Sequence, residues 1–309
     1  MSGEKFRLVT RSDFDGLVCA TLLRELDMID DILFVHPKDM QDGKIAVTAN
    51  DITTNLPYVD GVHICFDHHA SELLRVKLRS NHVIDPTAAS AARVVYRHFG
   101  GKARFPHISE EMMEAVDKAD SAQYSEDEIL APSGWTLLNF IMDPRTGLGR
   151  FRDFTISNTQ LMLDLIGYCR NHSIDEILAL PDVVERLRLY EDHAERAEHQ
   201  LIRCTVMHDK LAVLDLRDED TIYAANRFMV YALFPQSHIS MHVMWGAKQL
   251  NTVFAVGKSI IDRSSRTDVG RLMLAYGGGG HEAAGTCQVD TAQAEAVKGE
   301  LIVRIRADG

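Results

Sequence analysis

Val62-His63-Ile64-Cys65-Phe66-Asp67-His68-His69 is the stretch on which the reading of this chain turns. Its first part, Val62–Phe66, reads as a short buried strand, and it delivers one carboxylate and two imidazoles at its end. Such groups gain nothing from burial, because a charge removed from water costs free energy unless a partner compensates it. The partner that suits a mixed set of carboxylates and imidazoles is a divalent cation. Three further segments offer the remaining ligands. Phe6–Thr10 reads as a strand running into Arg11-Ser12-Asp13-Phe14-Asp15-Gly16, and Ile45–Ala49 as a strand ending in Asn50-Asp51. The helical stretch Met112–Ala122 carries Asp117 and Asp120.

The case for a cation has a magnitude. Two carboxylates about 4 Å apart repel by roughly 4 kcal/mol at an effective dielectric near 20. Several converging aspartates would consume a large part of the ~5–15 kcal/mol by which a domain is stable. Singly, each residue has a plainer reading. Asp15 precedes Gly16 and the helical run Leu17–Leu26, which suits a helix cap, and His68 or His69 alone suits a satisfied core histidine. It is Asp-x-Asp-Gly after one strand together with Asp-His-His after another that points to a metal.

The first half alternates strands (Phe6–Thr10, Ile32–Val35, Ile45–Ala49, Val62–Phe66) with helices (Leu17–Asp27, Ala88–Phe99, Glu110–Ala122). Asp85-Pro86-Thr87 is a start signal for the second helix, and Gly100-Gly101 ends it. This alternation implies an α/β fold with a mainly parallel sheet, whose strand-end loops gather at one edge. Gln160–Leu180 and Val183–Leu201 read as helices, the latter an amphipathic connector. Strands follow at Thr205–His208, Leu211–Leu216, Ile239–Trp245 and Thr252–Val256, with helices at Tyr223–Leu233, Val269–Tyr276 and Thr291–Arg306. The expected organisation is a metal-binding domain over 1–181, a connector over 182–202 and a smaller α/β substrate domain over 203–309.

At 309 residues, 46% hydrophobic and 25% charged, the chain has the composition of a two-domain globular protein. No apolar run is long enough for a membrane span, and the first strand follows Met1–Lys5 too closely for a secretory leader. Five scattered cysteines without paired spacing suit a reducing cytoplasm. The net charge of −12 argues against a long nucleic-acid groove, which needs a basic stripe. Arg145, Arg150 and Arg152 form the one local basic candidate, either a solvated turn or a loop that meets an anion. A small phosphorylated ligand or short oligonucleotide therefore fits better than a polymer.

Gly277-Gly278-Gly279-Gly280-His281 stands apart, since ordering four glycines costs considerable chain entropy. It suits backbone that approaches a ligand closely or amides that converge on an anion; the plainer reading is a linker or hairpin turn. The spaced glycine pattern of a dinucleotide fingerprint is absent.

Taken together, Asp13-Phe14-Asp15-Gly16, Asp51, Asp67-His68-His69 and Asp120 resemble the four motifs of the DHH phosphoesterase superfamily. Arg263-Ser264, Asp268-Val269 and the glycine run with Ala283-Ala284-Gly285 are similar to the signature of its C-terminal substrate domain. The resemblance covers nearly the whole chain. It implies a phosphohydrolase or phosphodiesterase acting on short nucleotide phosphoesters. An exopolyphosphatase-like enzyme and a non-hydrolytic nucleotide sensor are the alternatives. The implied cofactor is a pair of Mn2+ ions, with Mg2+ or Co2+ as substitutes, on Asp13, Asp15, Asp51, His68 and Asp120, Asp51 bridging. His69 would face the phosphate, with Asp67 orienting an imidazole. Arg263, Ser264, Gly278, Gly279, Gly280 and His281 would hold the rest of the substrate, the second domain closing over the cleft. The resemblance leaves oligomeric state open, a homodimer being compatible with it. One position departs from the family pattern: the histidine or aspartate usual ahead of Asp-x-Asp falls at Val9 or Arg11. The options there are a weakened site, a water, the Arg11 guanidinium, or an unusual ligand such as His36.

Overall fold

Thr10, Thr54 and Asp67 end three neighbouring parallel strands, and this common edge organises the first half of the chain. A computed structural model describes residues 5–151 and 153–309. Its first sheet contains β1 (Phe6–Thr10), β2 (Ile29–Phe34), β3 (Asp51–Thr54), β4 (Ile64–Asp67) and β5 (His82–Ile84) in the order β2-β1-β3-β4-β5. Every pairing is parallel. The second sheet contains β6 (Thr205–His208), β7 (Leu211–Asp215), β8 (Ile239–Trp245), β9 (Asn251–Lys258), β10 (Gly279–His281) and β11 (Ala284–Asp290). Its order is β10-β11-β9-β8-β7-β6, and only β7–β8 is parallel. The α/β expectation with a parallel first sheet therefore holds.

The chain divides into two compact units. One is Met1–Gln123, Ser133–Pro144 and Leu148–Arg188; the other is Tyr124–Pro132, Arg145–Gly147 and Leu189–Gly309. The expected connector over 182–202 lies within one continuous helix, Pro181–Cys204, and the division between units falls inside that helix. Within the first unit, the helix Phe14–Glu25 has ten consecutive buried residues, Phe14 to Leu23. No amphipathic stripe can supply that. It follows from packing by the helices Ala91–His98, Glu110–Asp120 and Asn158–Asn171. In the second unit, Val243, Phe254, Leu272, Leu301 and Ile305 belong to one core cluster between the sheet and the helices Val269–Leu274 and Ala294–Asp308.

Four local expectations are corrected. The third strand is β3, not Ile45–Ala49; Ile45 and Val47 pack beside Val9, Met40 and Leu56 without joining the ladder, and the β-branched run Ile52-Thr53-Thr54 pairs instead. Gln160–Leu180 is two helices, because Ser173 and Glu176 form a reciprocal capping box that starts Ile174–Leu178 afresh. The helix expected over Tyr223–Leu233 is confined to Met229–Leu233. Upstream of it, the amides of Tyr223 and Ala224 donate to Gln200 Oε1 and His193 Nδ1, which holds that backbone outside a helix. The glycine run is not a free loop: it contains β10, the edge strand of the second sheet. Arg152 of the basic candidate lies outside the described residues, and Arg145 and Arg150 are exposed. No helix among the described residues is long and apolar enough to cross a membrane.

Candidate functional site

The turn from β1 into its helix is tight because Gly16 permits it. A Cβ at Gly16 would lie 2.0 Å from the Arg11 carbonyl oxygen and 2.9 Å from Thr10 Oγ1. Thr10 and Thr54 fasten this end of the sheet, Thr54 Oγ1 donating to Thr10 Oγ1 at 2.7 Å and Thr10 Oγ1 to the Thr54 carbonyl at 3.1 Å. Asp13 is the N-cap of the helix, its Oδ1 accepting the Gly16 amide at 3.0 Å. Asp15 is a different case: it caps a distant helix. Its Oδ2 and Oδ1 accept the amides of Ala91 (3.0 Å) and Ala92 (2.7 Å), which open Ala91–His98. Burial, and then the neighbouring Asp120, push the Asp15 carboxyl well above the ordinary carboxylate range.

His68, just past β4, meets Asp15 and Asp120. One ligand atom from each of the three lies within 4.8 Å of the others. His68 Nδ1 donates to the Ala88 carbonyl at 3.3 Å, which assigns the proton of the neutral ring to that nitrogen. The opposite nitrogen, Nε2, is buried 2.9 Å from Asp120 Oδ2 without the alignment of a hydrogen bond. A buried lone pair without a hydrogen-bond partner, beside two carboxylates, is the donor set of a divalent-metal site. The electrostatics agree. Burial pulls the His68 pKa down, but Asp120 and Asp15 outweigh it and raise the value to about 9, so that without a cation Nε2 carries a proton in its place, and the lone pair is offered when a cation displaces that proton. Burial acts against the Asp120 charge, yet His68 brings that carboxyl below its ordinary value. The cluster is thus built around positive charge.

Asp67 is fully buried and accepts the amides of His68 (2.9 Å) and His69 (3.3 Å) on Oδ1. The same oxygen accepts from His69 Nδ1 at 2.7 Å. His69 is therefore held by Asp67 with its ring tilted against His68, centroids 4.4 Å apart. Asp117, three residues before Asp120, is tied to Arg93 and Ser90 and takes no place in the cluster.

Asp51 does not join the site, which corrects its assignment as bridging ligand. It begins β3 and pairs in register with Arg7, at the opposite end of the sheet from Thr10, Thr54 and Asp67. Three residues of strand separate it from Thr54, about 10 Å at the usual rise. Its oxygens accept from Arg7 (2.7 and 3.0 Å) and from the Thr48 amide (2.6 Å). Burial acts against its charge, but the Arg7 and Thr48 bonds outweigh this and hold the carboxyl below its ordinary value. Asp51→Ala is expected to cost about 1–3 kcal/mol of stability, by taking the carboxylate from Arg7 and leaving it only the Ala46 carbonyl, and to leave turnover within about threefold of wild type. The Asp51 contribution is fully present above the ordinary carboxylate range and fades as pH falls through the lowered folded value. Urea titrations of both proteins across that range, with turnover at neutral pH, measure both parts.

The residue that stands at the end of β3 is Asn55, which sequence reasoning missed. It is buried, and its Nδ2 donates to Asp13 Oδ1 (3.3 Å) and Oδ2 (3.4 Å). The signal was the β-branched run Ile52-Thr53-Thr54 immediately before it. Arg11 Nε lies 3.0 Å from Asp13 Oδ2. His36 is exposed and caps the helix Pro37–Gln41, its Nδ1 accepting the Lys38 amide at 3.2 Å, and Val9 is buried in the core.

In the second unit the glycine run serves packing first. A Cβ at Gly278 would lie 2.0 Å from the Thr286 carbonyl oxygen, and the Gly278 amide already donates to Met273 at 2.9 Å. That amide is engaged by the end of the helix Val269–Leu274, which corrects its reading as an anion donor. Gly279, Gly280 and His281 pair with Thr286, Gly285 and Ala284. Arg263 is exposed, with Nε donating to the Ile260 carbonyl. Ser264 lines a separate cleft of about 410 Å3 with His208, Lys210, His238 and Arg266, a cleft that neither Arg263 nor the glycines line.

No family model matches the chain, and no curated protein sequence matches it. Among solved structures, the pGpG-specific phosphodiesterase PggH from Vibrio cholerae is 59% identical, with a TM-score of 0.87 over 99% of this chain and 100% of that one. An exopolyphosphatase-related protein from Bacteroides fragilis shares the fold at 14% identity, with a TM-score of 0.54 over 97% of this chain and 92% of that one. RecJ from Thermus thermophilus, solved in complex with Mn2+, shares it at 16% identity, with a TM-score of 0.59 over 99% of this chain and 52% of that one. The strand-end motifs, the site they build and this full-length likeness together place the chain in the DHH phosphoesterase superfamily, and it is a phosphoesterase.

Proposed function

We propose that the chain hydrolyses the internal phosphodiester of short linear dinucleotides, with pGpG as the first substrate. The observation that carries this reading is the 59% identity over the full chain to a phosphodiesterase specific for pGpG. Water adds to phosphorus, the bond to the 3′ oxygen breaks, and two molecules of GMP leave. Asp15, His68 and Asp120 hold a divalent cation, for which Mn2+ is proposed. Such an ion, when bound, lowers the pKa of a coordinated water and withdraws charge from a phosphoryl oxygen.

The remaining work belongs to side chains. The Ala88 carbonyl fixes the His68 ring so that Nε2 keeps its lone pair on the cluster side. The Ala91 and Ala92 amides fix both oxygens of Asp15 at a helix N-terminus, which favours the ionised form against its burial. Asp67 accepts from His69 Nδ1, which orients the ring so that its opposite nitrogen, Nε2, serves a phosphoryl oxygen. Arg11 adds a permanent charge suited to the same group. The second unit, through Arg263, Gly279 and His281, is proposed to hold the non-reacting nucleotide. A reducing cytoplasm is the proposed compartment, in keeping with five free cysteines, four of them buried.

Purified protein with Mn2+ and pGpG is expected to release GMP, read by chromatography, and to stop with EDTA. Orthophosphate from polyphosphate without any GMP from pGpG would replace this reading with the exopolyphosphatase-like one.

A further inference from the structure

Resting on that reading and going beyond it, we infer that the site holds one divalent cation per chain and that Arg11 and Asn55 stand where a second would bind. Among the described residues, Asp15, His68 and Asp120 are the only three His, Cys, Asp or Glu side chains whose ligand atoms converge. Asp67 lies outside that set, its Oδ1 taken by the His68 and His69 amides and by His69 Nδ1, and Asp13 faces donors on both oxygens. Oδ2 receives Arg11 Nε at 3.0 Å and Asn55 Nδ2 at 3.4 Å; Oδ1 receives the Gly16 amide at 3.0 Å and Asn55 Nδ2 at 3.3 Å.

The amide orientation of Asn55 is dictated by chemistry, because an ionised Asp13 only accepts hydrogen bonds. Asn55 therefore turns its hydrogens, not its oxygen, toward Asp13. Being neutral, it cannot bring the negative charge needed to hold two cations together. Asp51, the acid expected to bridge them, is at the other end of the sheet with Arg7. Val9 is buried in the core and His36 caps a helix, so neither completes a second set of ligands.

Arg11 brings a fixed positive charge beside Asp13, and a second cation at that place would meet it at close range. Arg11 is also not removable by a chelator, and with its side chain 37% exposed its outer N–H groups are accessible to a phosphoryl oxygen. The site combines one exchangeable charge with one permanent charge.

The test is a count. Protein stripped with EDTA, equilibrated with excess MnCl2 and desalted is examined by native mass spectrometry and by electron paramagnetic resonance. One Mn2+ per wild-type chain, with the hyperfine-resolved spectrum of an isolated ion, is expected. The double variant Arg11→His with Asn55→Asp is expected to take two, with the spectrum broadened by exchange. Two ions in the wild type overturn the inference and leave the phosphodiesterase reading standing. No bound ion overturns both. A folded double variant that still takes one ion overturns the assignment of that place to Arg11 and Asn55. If the double variant fails to fold, the wild-type count decides alone.

Discussion

Asp120→Asn is expected to lower turnover of pGpG by about 1,000-fold or more while leaving the protein folded. A metal-centred site supplies several kcal/mol of charge stabilisation, and each ~1.4 kcal/mol is tenfold in rate. Asn is close to the shape of Asp but carries no charge, and its amide can donate to the buried lone pair of His68 Nε2, which lies 2.9 Å from Asp120 Oδ2. The substitution thus converts a cation site into a neutral hydrogen-bonded pair. Asp15 also loses a like-charged neighbour that raises its pKa, which relieves repulsion in the cluster. Thermal unfolding is accordingly expected within a few degrees of wild type, while native mass spectrometry shows loss of bound Mn2+. Turnover within tenfold of wild type would remove Asp120, and with it the three-residue cluster, from the chemistry.

Gly16→Ala is the second large effect, and its cause is steric. The added methyl would sit 2.0 Å from a backbone oxygen, that of Arg11, and 2.9 Å from Thr10 Oγ1. The turn cannot open without moving Asp13 and Asp15, whose hydrogen bonds tie it to Asn55, Ala91 and Ala92. A loss of roughly 3 kcal/mol or more is expected, at the upper end of overpacking costs. The material that stays folded should have lost most of its turnover, since a displacement of about 1 Å at reacting groups costs on the order of 100-fold. Gly167→Ala is the control. It lies within the helix Asn158–Asn171 with nothing near its Cβ position, and should gain about 0.5–1 kcal/mol. Urea midpoints of the two variants and the parent decide the matter. A Gly16→Ala protein within about 1 kcal/mol of wild type would mean that the turn is not constrained in this way.

The contrast between Asp51 and Asn55 marks where sequence reading runs out. Both flank the same run Ile52-Thr53-Thr54, so a strand placed six residues early turns the start of the real strand into the apparent end of another. Ile45–Ala49 has the apolar content of a strand, and what excludes it from the sheet is packing beside Met40 and Leu56. That contact depends on the whole unit. Asp15 poses the same difficulty in milder form: its position before a helical run suits a cap of its own helix, whereas it caps one that begins at Ala91. The glycine run was legible as a place of close backbone approach. Whether the approaching partner is a ligand or another strand was not, since both demand the absence of a Cβ.

By itself, the order of residues determined the α/β class, the approach of Asp15, His68 and Asp120 to one another, and the superfamily. These rest on short-range patterns of apolar strands followed at once by acids and imidazoles, and such patterns survive without knowledge of neighbours. Tertiary structure alone decided which end of a strand faces the site, and so exchanged Asp51 for Asn55 and set Arg11 against Asp13. The physical reason is that a carboxylate takes its role from the charges and donors around it, and in a parallel sheet those come from strands and helices far away in the chain.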